Sequence, residues 1–373
     1  MLRPEDFMRR ALKLAERGAG WTSPNPMVGA VVVKQNIILG EGWHEEFGGP
    51  HAEFSALQRA GALARGADLY VNLEPCVAAP GKRNPPCADE IIRAKIQRVF
   101  VALRDPDPRI NGQGIAALRR AGIEVIEGIL EREARKLNEI YLKFKTTGMP
   151  FVTLKMAMTA DGKIATHTGD SKWISSPASL RFAHELRHRH RAILIGISTL
   201  LADDPQLTAR LEQRARNPIR IVLDSQGRIP LESTLVRSAK QMRTIVATTD
   251  ALSLEKEQAL RHAHAEVWRL PARDGRVDPH ALMHKLSQEQ IDSVLIEGGA
   301  EIAWSFVSQR LIDKILLVIA PKIIGGRAAP GPVGGVGCER ISDAIPLKEI
   351  TVSRLDDDIV YEAYLNKEST PPS

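Results

Sequence analysis

His51, Cys76 and Cys87 offer one imidazole and two thiolates, a donor set suited to a tetrahedral zinc ion. Three protein ligands leave the fourth position open for water, as a catalytic zinc requires. Glu53 follows His51 by two residues, in His51-Ala52-Glu53. A carboxylate so placed can carry protons to and from that water. The sulfur ligands stand in Leu73-Glu74-Pro75-Cys76 and Pro85-Pro86-Cys87, separated by Val77 to Pro86. This interval is longer than the two residues of the commonest His-x-Glu, Pro-Cys, Cys pattern. Cysteine is often only a small core hydrophobe. Here ligand type, order and flanking elements favour a metal site.

The elements that must position these groups are legible nearby. Residues 68–73 read as a strand, which puts Cys76 just beyond a strand end. Cys87 opens a helix, with Pro85 and Pro86 just before it, and His51 opens another over 51–64. Helix N-termini stabilise a thiolate through their free N–H groups and the helix dipole. At a helix start, His51 and Glu53 can approach a metal from adjacent sides.

Around this centre, residues 4–17 carry a helical apolar stripe. The turn Ser23-Pro24-Asn25-Pro26-Met27-Val28-Gly29 leads into strands at 30–33 and 37–40, and Asn25 is a rigidly held amide able to meet a ligand. Strands at 99–102 and 123–126 and helices at 113–120 and 131–145 complete an α/β unit. Thr146 to Pro150 breaks the last helix, so a first domain carrying the metal centre is expected over 1–147 and a second α/β domain over 148–373. The second begins with a strand at 151–156 and a turn at Asp161-Gly162 into Lys163-Ile164-Ala165. Strands at 192–196, 219–223, 244–247, 267–270, 293–296 and 314–320 alternate with helices at 177–188, 253–264, 279–288 and 302–309. Two strands near 350–364 close it. The Gly- and Pro-rich stretch 324–337 reads as a mobile loop, and 367–373 as a disordered tail.

The 373 residues are 43% hydrophobic, enough for two cores, and the net charge of +6 is modest. No basic stripe interleaved with aromatics demands nucleic acid. No apolar run reaches membrane-spanning length, and no signal peptide is evident. Three cysteines, two of them placed at metal, argue for a reducing compartment. A soluble, cytoplasmic protein without nucleic-acid or membrane partners is expected.

The second half holds one decoy and one weak signal. His184-Glu185-Leu186-Arg187-His188 spells the zinc-protease motif. A strand follows almost at once and no third ligand is spelled downstream, so a polar helix face is the better reading. An Arg on that face can grip a phosphate. Glu297-Gly298-Gly299 lies between a strand and a helix, where glycines let an anion approach a helix N-terminus. It is not the GxGxxG dinucleotide fingerprint.

Taken together, these motifs resemble the bifunctional riboflavin-biosynthesis deaminase–reductase family over roughly residues 4–365. Further matching segments are Arg104-Asp105-Pro106-Asp107-Pro108, Leu154-Lys155, Asp161-Gly162-Lys163, Gly169 to Ile174 and Leu201 to Pro205. The resemblance implies a cytidine-deaminase-like α/β/α layer domain followed by a dihydrofolate-reductase-like α/β domain. It implies zinc-dependent hydrolytic deamination of 2,5-diamino-6-(5-phosphoribosylamino)pyrimidin-4-one. NADPH-dependent reduction of the ribosyl side chain to ribityl would follow. The chain would form a homo-oligomer through the reductase domain.

Residue by residue, the resemblance makes His51, Cys76 and Cys87 the zinc ligands, Glu53 the proton shuttle, and Asn25 and Lys82 substrate contacts. In the second domain Ala157, Trp173, Thr199, Asp203 and Ser225 align with cofactor contacts. So does the turn running through Gly299, Ala300, Glu301, Ile302, Ala303, Trp304 and Ser305. Ser171, Arg187, Leu207, Arg210 and Glu297 align with substrate contacts, and Lys155 is a further candidate. One departure stands out. The family usually begins its inter-cysteine loop with Ser-His, whereas this chain has Val77-Ala78-Ala79-Pro80 and a loop two residues longer. Two rival readings fit the sequence. A tRNA or free-base deaminase draws some support from the pI near 9.2, and a structural-zinc module would need a fourth ligand.

Overall fold

In the computed structural model, residues 2–78 and 85–365 are described. Lys82 and the 367–373 tail lie outside them. The chain divides into two compact units, Met1–Gly148 and Met149–Ser373.

The first unit runs α1 (Pro4–Ala15), β1 (Gly29–Lys34), β2 (Ile37–Trp43), α2 (Ala52–Ala60), β3 (Asp68–Val71), α3 (Cys87–Arg93), β4 (Arg98–Val101), α4 (Gln113–Arg120), β5 (Glu124–Glu127), α5 (Glu131–Leu137) and α6 (Glu139–Thr147). Its five strands form one sheet in the order β2-β1-β3-β4-β5. The strand period of two splits the apolar residues between both faces. Ala30, Val32, Leu69, Val71, Val99 and Val101 pack against Ala56 and Leu57 of α2, Ile91 of α3 and Leu118 of α4. Val31, Val33, Tyr70 and Phe100 face Met8 and Leu12 of α1, Ala134 of α5 and Tyr141 of α6. The result is an α/β/α layer. Helix α2 presses closely onto the edge strand. A Cβ on Gly40 would lie 2.2 Å from Ala56 O, and one on Gly42 would lie 2.3 Å from Ala52 O. These two glycines let α2 seat its N-terminus, and so His51 and Glu53, against the sheet.

The helix expected over 131–145 is two helices. Asn138 leaves helical geometry at φ −103°, ψ 21°. Its side chain is taken by the backbone of Met27, with Oδ1 accepting from N–H at 2.8 Å and Nδ2 donating to C=O at 2.9 Å.

The second unit runs β6 (Phe151–Thr159), α7 (Pro177–Arg189), β7 (Ala192–Gly196), α8 (Ile197–Asp203), β8 (Ile219–Leu223), α9 (Thr234–Arg237), β9 (Thr244–Thr248), α10 (Leu254–His262), β10 (Glu266–Arg269), β11 (Ala272–Arg273), β12 (Arg276–Val277), α11 (Pro279–Gln288), β13 (Ser293–Glu297), α12 (Ala300–Ser308), β14 (Lys314–Ala320), β15 (Leu347–Leu355) and β16 (Asp358–Leu365). Its main sheet has the order β10-β9-β8-β7-β13-β6-β14-β16-β15. All neighbours from β10 to β14 are parallel, whereas β16 and β15 add antiparallel edges. Parallel strands need cover on both faces. Leu282 and Leu286 of α11 and Phe306 of α12 cover one. Leu200 of α8, Leu235 of α9 and Leu260 of α10 cover the other.

Two local expectations change. The helix expected from Ile302 begins at Ala300. The segment around 324–337 has no regular structure but is tied down. Ile164 N–H donates to Pro330 O at 3.0 Å, Gly334 N–H to Ala300 O at 2.9 Å, and Gly335 N–H to Glu301 Oε1 at 3.0 Å.

Candidate active sites

In the first unit, His51 is the N-cap of α2, extended at φ −76°, ψ 157°. Its Nδ1 lies 3.1 Å from Cys87 Sγ and 3.5 Å from Cys76 Sγ. Cys87 is the first residue of α3. Ala88 N–H donates to Cys76 O at 3.1 Å, which closes the inter-cysteine loop at its base. The three donor atoms lie within 4.8 Å of one another. Among the described residues no fourth His, Cys, Asp or Glu joins them. The undescribed stretch 79–84 contains none of those residue types.

Glu53 is buried one step inside α2, close to the Cys87 sulfur. Burial pushes its carboxyl above the ordinary range, against the pull of His51. The Cys87 thiol is pushed well up by its hydrogen bond with Cys76, by burial and by the charge of Glu53. Two sulfurs and a carboxylate buried together repel one another as anions. A divalent cation resolves that conflict by taking the thiolates as ligands, so the donor set fits zinc.

His51, Cys76 and Glu53 line a cavity of about 520 Å³. Asn25 lines it, held from behind. Asn72 Oδ1 accepts from Gly29 N–H at 2.8 Å and its Nδ2 donates to Met27 O at 2.9 Å. With Asn138 this fixes the turn that carries Asn25. His44, which the sequence reading did not single out, also lines the cavity. Its Nδ1 donates to Pro50 O at 2.9 Å, and its Nε2 lies 3.2 Å from Asn25 Nδ2. Burial lowers its pKa and favours the neutral ring. Nε2 then accepts from the Asn25 amide, leaving Asn25 Oδ1 for a ligand. The signal for His44 was its place between β2 and the ligand-bearing α2.

Glu74, quoted only as part of Leu73-Glu74-Pro75-Cys76, is a buried clamp. Its carboxylate accepts from the N–H groups of Asp105, Gly112, Gly114 and Ile115 at 2.9–3.2 Å. It thereby fastens the strand end before Cys76 to the start of α4. Asp105, Asp107, Arg109, Tyr141 and Lys145 also line the cavity. Tyr141 O–H donates to Asp105 Oδ1 at 2.8 Å.

In the second unit, Lys155 and Glu297 are register partners on β6 and β13. Arg187 from α7 reaches Glu297 with Nη2 at 2.6 Å and Nε at 3.2 Å, while its Nη1 donates to Thr208 O. Burial opposes ionisation of Glu297, but the charges of Arg187 and Lys155 outweigh it and hold the carboxyl below its ordinary value. Burial lowers Lys155 against the pull of Glu297. This cluster sits at the C-terminal side of parallel strands, the usual ligand side of such sheets. The zinc-protease spelling dissolves here. His184 Nδ1 contacts Thr208 O at 3.0 Å, and His188 Nδ1 accepts from Arg216 N–H at 2.9 Å.

Thr199, on the unforeseen helix α8, faces the turn at Gly298 and Gly299. A Cβ on Gly298 would stand 3.2 Å from Thr199 Cγ2, and both glycines have positive φ. Asp203 ends α8 and pairs with Lys172 at 3.1 Å, beside Ser171 and the exposed Trp173. Ser225 follows β8, its Oγ accepting from Val277 N–H at 2.9 Å. Ala157 lies in β6, opposite Val318. Arg210 donates to Thr208 Oγ1 at 2.9 Å.

Several aligned residues are not free to use their side chains. Ala303 is fully buried in the core with Phe306, because its position on α12 turns it inward. Leu207 is buried with Ile195 and Leu200, so only its backbone is available. Glu301 is held by Gly335 and Arg276, and Trp304 packs under Gly335. Ile302 packs against Gly196. Gly299 and Ala300 remain at the strand-to-helix turn.

Residues 1–103 match the family described as the cytidine and deoxycytidylate deaminase zinc-binding region, and residues 150–361 match the RibD C-terminal domain. The chain is 43% identical over 357 residues to the riboflavin biosynthesis protein RibD of Actinobacillus pleuropneumoniae, covering 96% of this chain and 94% of that one. It is 42% identical to the Aquifex aeolicus protein of the same name, covering 95% and 97%. Among solved structures, Acinetobacter baumannii RibD superposes with a TM-score of 0.86 at 36% identity, covering 98% and 99%. The deaminase/reductase of Thermotoga maritima superposes with a TM-score of 0.84 at 38% identity, covering 97% and 99%.

Proposed function

The chain belongs to the bifunctional deaminase–reductase family of riboflavin biosynthesis, and from that membership we propose how its residues divide the work. It is an enzyme with two activities. One hydrolytically deaminates 2,5-diamino-6-(5-phosphoribosylamino)pyrimidin-4-one. The other reduces the ribosyl side chain of the product to ribityl.

The observation that carries the deaminase assignment is the ligand set itself: His51, Cys76 and Cys87 converge beside buried Glu53, at a cavity. Zinc is the ion we assign there; when bound it supplies Lewis acidity and lowers the pKa of water to about 7. Glu53 takes a proton from the attacking water and returns it to the departing ammonia. Asn25, oriented by His44, offers Oδ1 to a pyrimidine N–H.

In the reductase unit we assign NADPH as the hydride source. Thr199 and the turn at Gly298, Gly299 and Ala300 form its backbone-rich cradle, with Ala157, Trp173, Asp203 and Ser225 around it. Lys155 and Glu297 hold and move protons at the sugar, and Arg187 orients Glu297. Ser171, Arg210 and the backbone of Leu207 complete the substrate side. We further assign a homo-oligomer through this unit. In its support, β15 is the terminal strand of the sheet and exposes Ile350 and Val352. No described helix is long and apolar enough to cross a membrane. Thiolate ligands suit the reducing cytoplasm, where we place the protein.

The test is to supply the diamino-pyrimidinone phosphoriboside with and without NADPH and to read the products by mass. Deaminated product without NADPH, and its reduced form with it, are expected. Unchanged substrate in both would overturn the reading.

A further inference from the structure

In the second unit, the irregular segment 321–337 joins two places far apart in sequence, the turn after β6 and the first turn of α12. Asp161 holds its first end. Gly325 N–H donates to Asp161 Oδ2 at 2.7 Å, Ile324 N–H to Oδ1 at 3.2 Å, and Thr159 O–H to Oδ1 at 2.6 Å. Lys163 Nζ holds its middle, donating to Ala329 O at 3.0 Å. Helix α12 holds its far end, where Gly334 N–H donates to Ala300 O at 2.9 Å and Gly335 N–H to Glu301 Oε1 at 3.0 Å. Lys322 Nζ adds a tie to Trp173 O at 2.8 Å. We propose that Asp161 and Glu301 are positioning residues for NADPH: they brace this segment against α12 and so fix the turn at Gly298, Gly299 and Ala300. The inference rests on the reductase reading above and deepens it.

Asp161 is exposed, yet both of its oxygens are committed within the protein. The Thr159 hydroxyl first, and then Gly325 N–H, hold its carboxyl at about 2, so it stays an acceptor at any pH at which the enzyme works. Glu301 stands in the stretch aligned with cofactor contacts, but its carboxylate is taken. Oε1 accepts from Gly335, and Oε2 accepts from Arg276 Nη1 at 3.1 Å. An acid is also the wrong charge to meet a phosphate-bearing cofactor, since like charges repel. Its work is therefore on the segment. The fit at that end is close. A Cβ on Gly334 would lie 2.8 Å from Glu301 Oε1, and one on Gly335 would lie 1.9 Å from Trp304 Cδ1. The two glycines let the segment lie directly on α12. The turn so held needs holding: Gly298 and Gly299 both have positive φ, and glycine loses the most conformational freedom when ordered. A turn that NADPH had to order on arrival would bind it more weakly.

The test compares Asp161→Ala, Glu301→Ala and Glu301→Gln in the full-length protein. Three quantities are read: KM for NADPH and kcat in reduction of the deaminated intermediate, and amide hydrogen exchange across 321–337 in the cofactor-free protein. Thermal midpoint and deaminase turnover serve as controls of folding. KM for NADPH should rise about fivefold to tenfold in each Ala variant, the scale of one lost hydrogen bond to a charged group. kcat should stay within about twofold, as for a loss of binding alone. Exchange should quicken at Gly325 in Asp161→Ala and at Gly335 in Glu301→Ala, with no cofactor present. Glu301→Gln keeps an acceptor for Gly335 and gives up only the exposed ion pair with Arg276, so KM should return to within about twofold of wild type. If Asp161→Ala does not fold, the two Glu301 variants carry the test. A wild-type KM in a folded Ala variant would overturn the proposal. So would a raised KM with unaltered exchange, or a Glu301→Gln as impaired as Glu301→Ala, which would make the charge itself the contact. A wild type that reduces the intermediate without need of NADPH is a different result, and would remove the reductase reading itself.

Discussion

Gly114 N–H donates to Glu74 Oε1 at 2.9 Å, across 40 residues of chain. The same carboxylate accepts from Asp105, Gly112 and Ile115. A Cβ on Gly114 would lie 1.9 Å from Pro75 O, so the glycine is required for this approach. Glu74 therefore sets the height of Cys76, two residues on, relative to α4.

Glu74→Ala leaves buried N–H groups without an acceptor. The deaminase unit should lose about 3 kcal/mol, the scale of hydrogen bonds to a buried charge. Denaturant unfolding measures that loss, and zinc per chain should fall with it. Wild-type stability with full zinc would show that water replaces the carboxylate.

Glu297→Gln weakens the clasp of Arg187 and removes the charge beside Lys155. Reduction of the deaminated intermediate, followed by NADPH consumption, should slow by about a hundredfold or more, the usual scale for a proton-handling group. Deamination should stay unchanged. Equal loss of both activities would argue against two separate sites.

His190 is buried and neutral, with Nδ1–H donating to Leu186 O at 2.8 Å and Nε2 accepting from Thr153 O–H at 2.9 Å. Burial lowers its pKa to about 4, below its ordinary 6.5. The unfolded chain then binds this proton first as pH falls. Its contribution is complete above pH 6.5 and is lost between 6.5 and about 4. The loss amounts to about 3 kcal/mol for a shift of this size. Unfolding of the second unit across that range should show the slope, and His190→Gln should flatten it. An unchanged slope in the variant would assign the effect elsewhere.

Much of this architecture was legible in local pattern. Helices at 113–120 and 279–288 and strands at 192–196, 219–223 and 314–320 fall where periodicity and breakers put them. The convergence of His51, Cys76 and Cys87 was legible because ligand types cluster at strand ends and helix starts. What escaped depends on partners far away in sequence. The apolar stripe of 131–145 runs through Asn138, and only Met27, 111 residues away, explains why the helix breaks there. Glu74 looked like part of a cysteine motif, because its four donors lie at 105–115. Ala303 aligned with ligand contacts, yet its face of α12 is fixed by the core around Phe306.

The proposed deaminase centre is an open three-donor metal site worked by one acid. The direct measurement is zinc content together with deaminase turnover in Glu53→Gln. One zinc per chain, as in the wild type, and turnover reduced by about a hundredfold to ten-thousandfold are expected. Full turnover in that variant, or wild-type protein purified without a transition metal, would contradict it.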